Sequence, residues 1–268
     1  MRENRYIIEA SVQHDYVGER EARTFLPFLL PHLRPGLSIL DVGCGVGAIT
    51  LDLARSAHPA RIVGIDVDPV QIAVAHSSAQ ERGITTATFQ VGSASRLPFP
   101  DASFDAVYAT AVVLYLRDPV RALAEMRRVL RPGGIAAVAD DDVGTIVFSP
   151  DLPELRLAAS LFERAVAHEG GDTRYSRHLR GLARQAGFAR SEGFAYAPEV
   201  YGDPRGTRRF ADFAGGALGA PMMADTIVAE GWATRAELDR VLAVLEDWAA
   251  HPDGFAAWLY CAVLAWKD

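Results

Sequence analysis

A glycine-rich stretch around residue 45 carries the clearest chemical signal in the sequence. Gly43, Gly45 and Gly47 occupy alternate positions between the apolar run 38–42 and a helical pattern that starts at Ala48. Glycine is favoured where the backbone takes positive φ or where a ligand must approach the main chain closely. The free N–H groups of such a loop and of the following helix can face a ligand. The stretch predicts a strand, a tight loop and a helix that bind a ligand together, with a ligand-free glycine turn as the alternative.

Acidic residues at two strand ends indicate what that ligand contains. Asp41 lies in the run that enters the loop, and Asp66 ends a second apolar run at residues 62–66. A carboxylate at the end of the second strand of such a unit can accept hydrogen bonds from both ribose hydroxyls of a nucleotide. The G-x-G-x-G order differs from the G-x-G-x-x-G fingerprint of dinucleotide-binding proteins. Together these features favour a ribose-containing ligand other than NAD or NADP.

Four motifs in order make the chain resemble a known enzyme family. They are DVGCGVG at 41–47, VGIDVDP at 63–69, GSASRLPFPDASFD at 92–105 and LRPGG at 130–134. With them the sequence resembles the class I S-adenosylmethionine-dependent methyltransferases, and within these the UbiE-like small-molecule branch. The resemblance implies S-adenosyl-L-methionine as the cofactor and S-adenosyl-L-homocysteine as its product. It also implies an α/β fold, in which helices flank a Rossmann-like, seven-stranded, mostly parallel sheet and a helical cap covers the pocket.

The resemblance further implies which residues hold the cofactor. The glycine loop would pass under its amino-acid and ribose parts, Asp66 would bind the ribose hydroxyls, and Val67 would pack on the adenine. Asp41 would order the loop or reach the amino group. The full set implied in this way is Asp41, Gly43, Cys44, Gly45, Gly47, Asp66, Val67, Ser93, Ala94 and Thr110.

Ser93 and Thr110 differ from the other positions in how they would contact the cofactor. Ser93 departs from the family pattern, because relatives usually have Asp there to accept from the adenine amino group. Its hydroxyl can still accept a hydrogen bond, though without charge, and the backbone N–H of Ala94 is the alternative contact. Thr110 would approach the cofactor amino group through its carbonyl oxygen.

Asp68, which precedes the helix starting at Pro69, is expected to cap that helix.

The acceptor side of the site has weaker signals. His14 and Tyr16 lie in an N-terminal segment that often folds over the cofactor in this family, and His14 could deprotonate an acceptor hydroxyl. Asp140 and Asp142 share a face at the end of the fifth predicted strand, where Asp140 could contact substrate or act as a base. A divalent metal at these carboxylates is the alternative, but such sites need more convergent oxygens. We therefore expect no metal site.

The elements that position these residues alternate between strand and helix. Strands are predicted at 38–43, 61–66, 86–91, 104–110 and 134–141, and helices at 47–57, 69–82 and 118–130. This alternation indicates a parallel sheet with right-handed crossovers and a ligand crevice where the strand order reverses.

The whole chain, residues 1–268, is predicted to form one methyltransferase domain. Its regions are N-terminal lid helices at 1–35 with one helix over 18–33, a cofactor-binding core at 36–142, substrate-side helices and a strand at 143–204, a helical cap at 205–250, and a closing strand at 251–268. Apolar cap residues are expected to face the crevice in part: Phe210, Phe213, Leu218, Met222, Met223 and Trp232. An apolar or aromatic small molecule would fit such a wall.

Composition excludes several classes of protein. Half of the 268 residues are hydrophobic and the net charge is −7, which indicates a globular chain without the basic face of a nucleic-acid-binding protein. The two cysteines, Cys44 and Cys261, form neither a disulfide framework nor a zinc spacing. There is no signal-peptide core and no apolar run of membrane-spanning length. We expect a cytoplasmic protein without membrane insertion; a homodimer is left open.

Three functions remain to be weighed. Methyl transfer to a small metabolite, at oxygen or carbon rather than nitrogen, is the first. The second is a non-methylating rearrangement or cyclisation in an S-adenosylmethionine-binding protein of the same fold, because fold alone does not decide function. The third, an NAD(P)-dependent oxidoreductase, is disfavoured by the glycine spacing, by the LPFPDASFD stretch and by the lack of a Tyr-x-x-x-Lys pair.

Overall fold

The computed structural model describes residues 16–268, which contain ten strands in two sheets. The strands are β1 (Ser38–Val42), β2 (Arg61–Asp66), β3 (Ala87–Val91), β4 (Phe104–Thr110), β5 (Leu130–Asp141), β6 (Val147–Ser149), β7 (Arg190–Tyr196), β8 (Val200–Tyr201), β9 (Phe255–Ala257) and β10 (Tyr260–Trp266). The large sheet has the order β3-β2-β1-β4-β5-β10-β7, in which β10 alone runs opposite to the other six strands. The predicted seven-stranded, mostly parallel Rossmann-like sheet is confirmed, and the order reverses beside β1, which opens a crevice there.

Helices flank this sheet and cover its carboxyl edge. They are α1 (Ala22–Phe25), α2 (Ala48–Ser56), α3 (Pro69–Glu81), α4 (Pro119–Val129), α5 (Pro153–His168), α6 (Leu179–Gln185), α7 (Pro204–Gly219), α8 (Pro221–Ala229) and α9 (Arg235–Ala249). Asp68 caps α3, as predicted, by accepting from Val70 N at 2.8 Å. None of the helices in the described part of the chain combines the length and apolarity needed to span a bilayer.

The two faces of the sheet pack against different layers. In β5, Ala137 and Ala139 join the core that contains the N-terminal segment and the helices α5, α7 and α9. Ala136 and Val138 join the opposite core, with α4 and α6. Because successive side chains of a strand point to opposite faces, this alternation puts Asp141 on the same face as Ala137 and Ala139.

The prediction of one helix over residues 18–33 is wrong. The segment forms only the short helix α1 and a 3-10 turn at Leu30–His32. Pro27 and Pro31 explain the break, because proline within a helix lacks the N–H that donates to residue i−4 and its ring collides with the preceding turn.

The closing segment also differs from its prediction. Residues 255–266 do not form one strand: β9 belongs to a three-stranded sheet of order β6-β9-β8, and β10 enters the large sheet. The chain changes sheet at Trp258 and Leu259. This change places Trp258 at the boundary between the sheet and the cap.

The helical cap is held together by a buried aromatic cluster. Trp248 of α9 packs edge-on against Phe148 and Phe210, with ring centroids 6.1 and 5.7 Å away, and donates from Nε1 to Ser149 O at 2.8 Å. Within the region predicted as a cap, α7 alone lines the central cavity, and α8 and α9 support it from behind.

Candidate active site

The glycine loop has the backbone that its sequence predicts. Gly43, Gly45 and Gly47 all have positive φ, at 79°, 52° and 79°. A side chain at Gly43 would collide with Val112, and one at Gly47 would lie 2.9 Å from the Phe89 ring. A Cβ at Gly45 would meet no described atom within 4 Å. Two of the glycines are therefore required by packing, and Gly45 borders open space that a ligand can fill.

Asp66 holds this loop in place through two hydrogen bonds. Its Oδ2 accepts from Gly45 N at 2.9 Å, and its Oδ1 accepts from Asp68 N at 3.0 Å. The side chain is buried, and this burial raises the pKa of the carboxyl group. Each carboxylate oxygen retains a second lone pair, so the arrangement is compatible with the predicted contact to ribose hydroxyls.

Asp41 anchors the loop from the other side. Its Oδ2 accepts from Thr50 Oγ1 at 2.5 Å and from the Tyr108 hydroxyl at 2.7 Å. Burial raises the pKa of this carboxyl group to about 7. These bonds tie β1 to α2 and β4, which agrees with a role in ordering the loop.

A cavity with an empty volume of about 1310 Å³, its open mouth included, extends from the glycine loop to the cap. Of the residues predicted to hold the cofactor, Asp41, Gly43, Cys44, Gly45 and Thr110 line it. The others lie outside this lining: Gly47, Asp66, Val67, Ser93 and Ala94. Val67 is 39% exposed, and Ser93 Oγ accepts from Ser95 N at 3.3 Å.

The cavity thus covers the amino-acid side of the predicted cofactor site. Among the predicted adenosine contacts outside it, Val67 is exposed, whereas Asp66 and Ala94 are buried. The Thr110 hydroxyl is buried at the cavity wall and has no hydrogen-bond partner among residues 16–268. This orphaned polar atom and the open space at Gly45 fit a polar ligand group at the end of β4.

A polar cluster forms the far wall of the cavity. Arg20 Nη2 donates to Glu199 Oε1 at 2.9 Å, and the two side chains are only 13% and 5% exposed. The Tyr260 hydroxyl donates to Glu199 Oε2 at 3.1 Å. The register of β10 on β5 sets Tyr260 directly opposite Asp141. Arg20, Glu199, Tyr260 and Asp141 all line the cavity.

Asp141 has the properties of a proton acceptor. Burial and the negative charge of Glu199 raise the pKa of its carboxyl group to about 6, although Arg20 opposes both effects. Its Oδ1 is buried without a hydrogen-bond partner in the described part of the chain. A carboxylate with a pKa near neutral and a vacant lone pair is suited to general-base chemistry.

Asp140, the predicted substrate contact, is not at the cavity wall, and its neighbour Asp141 is. Asp140 does not line the cavity, because it lies on the opposite face of β5 from Asp141. Its Oδ2 accepts from Leu114 N at 3.1 Å, which supports the 3-10 turn at Val113–Tyr115. Asp142 forms a two-point ion pair with Arg177. No group of three metal-ligating side chains occurs within residues 16–268.

Tyr16 lines the cavity next to helix α7. Its ring stacks on Phe213 of α7 with centroids 3.9 Å apart, and its hydroxyl is 2.6 Å from that of Tyr201. Burial raises the pKa of the Tyr16 hydroxyl well above its ordinary value, which disfavours a role as a base. His14, the other predicted candidate, lies outside the described residues. Of the predicted cap residues, Phe210, Phe213 and Leu218 line the cavity, and Met222, Met223 and Trp232 do not.

Sequence reasoning missed Arg20, Asp141, Glu199, Trp258 and Tyr260. Alternation along β5 was the one usable signal, since it puts Asp141 on the face of Ala137 and Ala139, which join the core beneath the cap. The other four lie in segments without a motif, and only the fold brings them together.

Comparison with known proteins places the chain among methyltransferases. A family model described as a methyltransferase domain matches residues 40–138. The probable methyltransferase ltbC of Aspergillus luteorubrus is 33% identical over 269 residues, which cover 92% of this chain and 92% of the relative. The O-methyltransferase cnsE of Penicillium expansum is 36% identical over 175 residues, or 65% of this chain and 59% of the relative. The solved structure of the (4+2)-cyclase SpnF is 27% identical, with a TM-score of 0.55 and coverage of 93% of this chain and 83% of that one.

Proposed function

The chain belongs to the class I S-adenosylmethionine-dependent methyltransferases, and we propose that it methylates a hydroxyl oxygen of a small, largely apolar metabolite. One observation carries the choice of a hydroxyl: the buried Asp141 carboxylate on the wall of the cavity, with an oxygen that no described residue contacts. A hydroxyl group can donate to that oxygen and then transfer its proton to it.

The cofactor half of the proposal follows the glycine loop. Gly43–Gly47 would contact the nucleoside, Asp66 would hold the ribose hydroxyls, and Thr110 would meet the amino-acid end. When bound, S-adenosylmethionine supplies an activated methyl group: the acceptor oxygen forms the new O–C bond as the C–S electron pair leaves with the neutral thioether. The protein has to orient the acceptor in line with that bond.

Asp141 would remove the acceptor proton. With a pKa of about 6, its carboxylate is mostly ionised at neutral pH and still basic enough to take a proton from a hydroxyl group that is losing its own during attack. The Arg20 guanidinium would offset one of the two negative charges of Asp141 and Glu199, because it is paired with Glu199. The proton ends on Asp141 Oδ1 and returns to solvent when product leaves.

The apolar wall would select the body of the acceptor and exclude water. Phe148, Phe162, Phe210 and Phe213 line the side of the cavity away from the glycine loop. Tyr16 and Phe213 stack on each other at the cavity wall. Several relatives are named O-methyltransferases, including resE of Aspergillus sclerotiorum at 42% identity over 108 residues, and these names support oxygen as the methylated atom.

Turnover with a deuterium-labelled methyl donor tests the proposal. The protein is incubated with S-adenosylmethionine carrying a CD3 group and with a panel of naphthols. We expect a product with an O–CD3 group, identified by mass and NMR, together with one equivalent of S-adenosylhomocysteine. Transfer of the label to carbon only, or no transfer to any hydroxylated acceptor, would contradict the proposal.

The second candidate is a cyclisation that consumes no cofactor. The 27% identity to the SpnF cyclase across 93% of this chain favours it. Incubation with a linear polyene that carries a diene and an alkene separates the two, since a cyclisation converts such a substrate without releasing S-adenosylhomocysteine and without a change of mass.

A further inference from the structure

Trp258 presents a buried donor that the fold does not use. Its side chain is 7% exposed and lines the cavity, and its indole N–H has no acceptor among residues 16–268. A buried donor without a partner is unfavourable, and most such groups in folded proteins are satisfied. An acceptor atom on a ligand in the cavity would satisfy it.

The ring of Trp258 is held too firmly to turn toward another partner. It packs between Tyr201 and Phe210, with centroids 5.5 and 5.7 Å away. The backbone beside it is fixed as well, because Leu259 N donates to Thr145 Oγ1 at 2.9 Å and Leu259 O accepts from Asp142 N at 2.8 Å. The indole N–H is therefore a preset feature of the cavity wall.

Trp258 and Asp141 line the same cavity, and the chain brings them into the same part of it. Asp141 pairs with Tyr260 across the β5–β10 ladder, and Trp258 precedes Tyr260 by two positions. Trp258 therefore lies within two residues of the position directly opposite Asp141. The cavity wall thus offers one carboxylate oxygen that needs a donor and one N–H that needs an acceptor.

We propose that Trp258 determines acceptor specificity: its indole N–H binds a carbonyl oxygen next to the reacting hydroxyl, so that the substrate is an apolar ring system with adjacent hydroxyl and ketone groups. The inference rests on the proposed methyl transfer to a hydroxyl. It goes beyond it by naming the second functional group of the acceptor and the residue that recognises this group.

Binding of matched naphthols to the complex with S-adenosylhomocysteine tests the inference. Calorimetry at about pH 6.5 keeps the probe hydroxyls protonated. 1-Acetyl-2-naphthol carries adjacent groups, 6-acetyl-2-naphthol carries remote ones, and 1-isopropenyl-2-naphthol replaces the carbonyl oxygen by carbon at nearly constant shape. We expect the first probe to bind about tenfold more tightly than the other two, which is the effect of one satisfied buried hydrogen bond.

Variants at two tryptophans identify the donor. Trp258→Phe keeps an aromatic ring but removes the N–H, and it should bring the affinities of 1-acetyl-2-naphthol and 1-isopropenyl-2-naphthol to within about twofold. Trp232→Phe is the matched control, because Trp232 packs edge-on against His168 outside the cavity lining, and it should preserve the preference. Equal binding of the two probes by the wild-type protein, or a preference that survives in Trp258→Phe, would overturn the inference.

The outcome is separable from that of the proposed function, since the binding experiment needs no turnover. Suppose that the carbonyl preference depends on Trp258 but no hydroxyl is methylated. This result would refute the proposed function and still support the donor role of Trp258. Methyl transfer to 2-naphthol and to 1-acetyl-2-naphthol with equal KM, unchanged in Trp258→Phe, would sink the inference alone.

Discussion

Replacing Asp141 by asparagine removes the proposed base and hardly changes the volume of the side chain. The substitution also removes one of two carboxylates that share the positive charge of Arg20, whose ion pair with Glu199 at 2.9 Å is left intact. Because burial and a neighbouring negative charge disfavour the ionised form of Asp141, Asp141→Asn should be at least as stable as the wild-type protein. A loss of activity would then reflect chemistry rather than unfolding.

The size of the activity loss follows from the fraction of acceptor that is already ionised without a base. With a pKa of about 6 for Asp141, wild-type kcat/KM for a naphthol should rise about tenfold per pH unit below pH 6 and level off above it. Without the base, the reaction depends on acceptor that is already ionised. For a phenolic group with a pKa near that of tyrosine, this fraction is about one in a thousand at pH 7 and about one in ten at pH 9.

The assay is release of S-adenosylhomocysteine from pH 5 to 9, compared between wild type, Asp141→Asn and the exposed control Asp151→Asn. We expect a deficit of about 100- to 1000-fold in Asp141→Asn at pH 7 that narrows to about tenfold at pH 9. The control should follow the wild-type profile. A deficit that is the same at every pH, or activity within about threefold of wild type at pH 7, would refute the role of Asp141 as a base.

Four further substitutions or pairs have definite expectations. Gly45→Ala should lower affinity for S-adenosylhomocysteine more than tenfold in calorimetry while costing only about 1 kcal/mol of stability, since its Cβ enters open space at positive φ; retained affinity would show that the cofactor passes elsewhere. Gly47→Ala should instead cost about 2–3 kcal/mol in denaturant unfolding, because its Cβ meets an aromatic ring at 2.9 Å, and a neutral result would contradict the packing requirement. Asp66→Ala should weaken S-adenosylhomocysteine binding about 100-fold through the lost ribose contacts and the released loop, and unchanged affinity would show the ribose assignment to be wrong. Arg20→Gln and Glu199→Gln, combined in a double-mutant cycle, should show a coupling of at least about 1 kcal/mol because the pair is buried; additive losses would mean that the pair contributes nothing.

The sheet and the cofactor loop could be predicted because each of their features is local in the sequence. The loop glycines after β1 and the acidic residue at the end of β2 follow each other at short, fixed spacing. Parallel strands that alternate with helices then allow few topologies. Elements without such local signals were less predictable: β6, β8 and β9 are only two or three residues long, and their pairing depends on distant segments.

The acceptor half of the site is non-local, which is why sequence reasoning found little of it. Arg20 and Glu199 are 179 positions apart, and Asp141 meets Tyr260 only because β10 inserts antiparallel beside β5. No spacing rule relates such residues. The choice of Asp140 over Asp141 shows the same limit, since alternation tells which residues share a face but the packing of the cap decides which face borders the cavity.

A crystal structure with S-adenosylhomocysteine and 1-acetyl-2-naphthol bound together tests the central claim most directly. We predict the nucleoside against Gly45 and Asp66, the naphthol among the phenylalanines of the cavity, and the naphthol hydroxyl between the cofactor sulfur and the carboxylate of Asp141. A naphthol bound outside the cavity, or inside it with its hydroxyl remote from both Asp141 and the sulfur, would contradict the claim that this carboxylate and this cavity perform methyl transfer to oxygen.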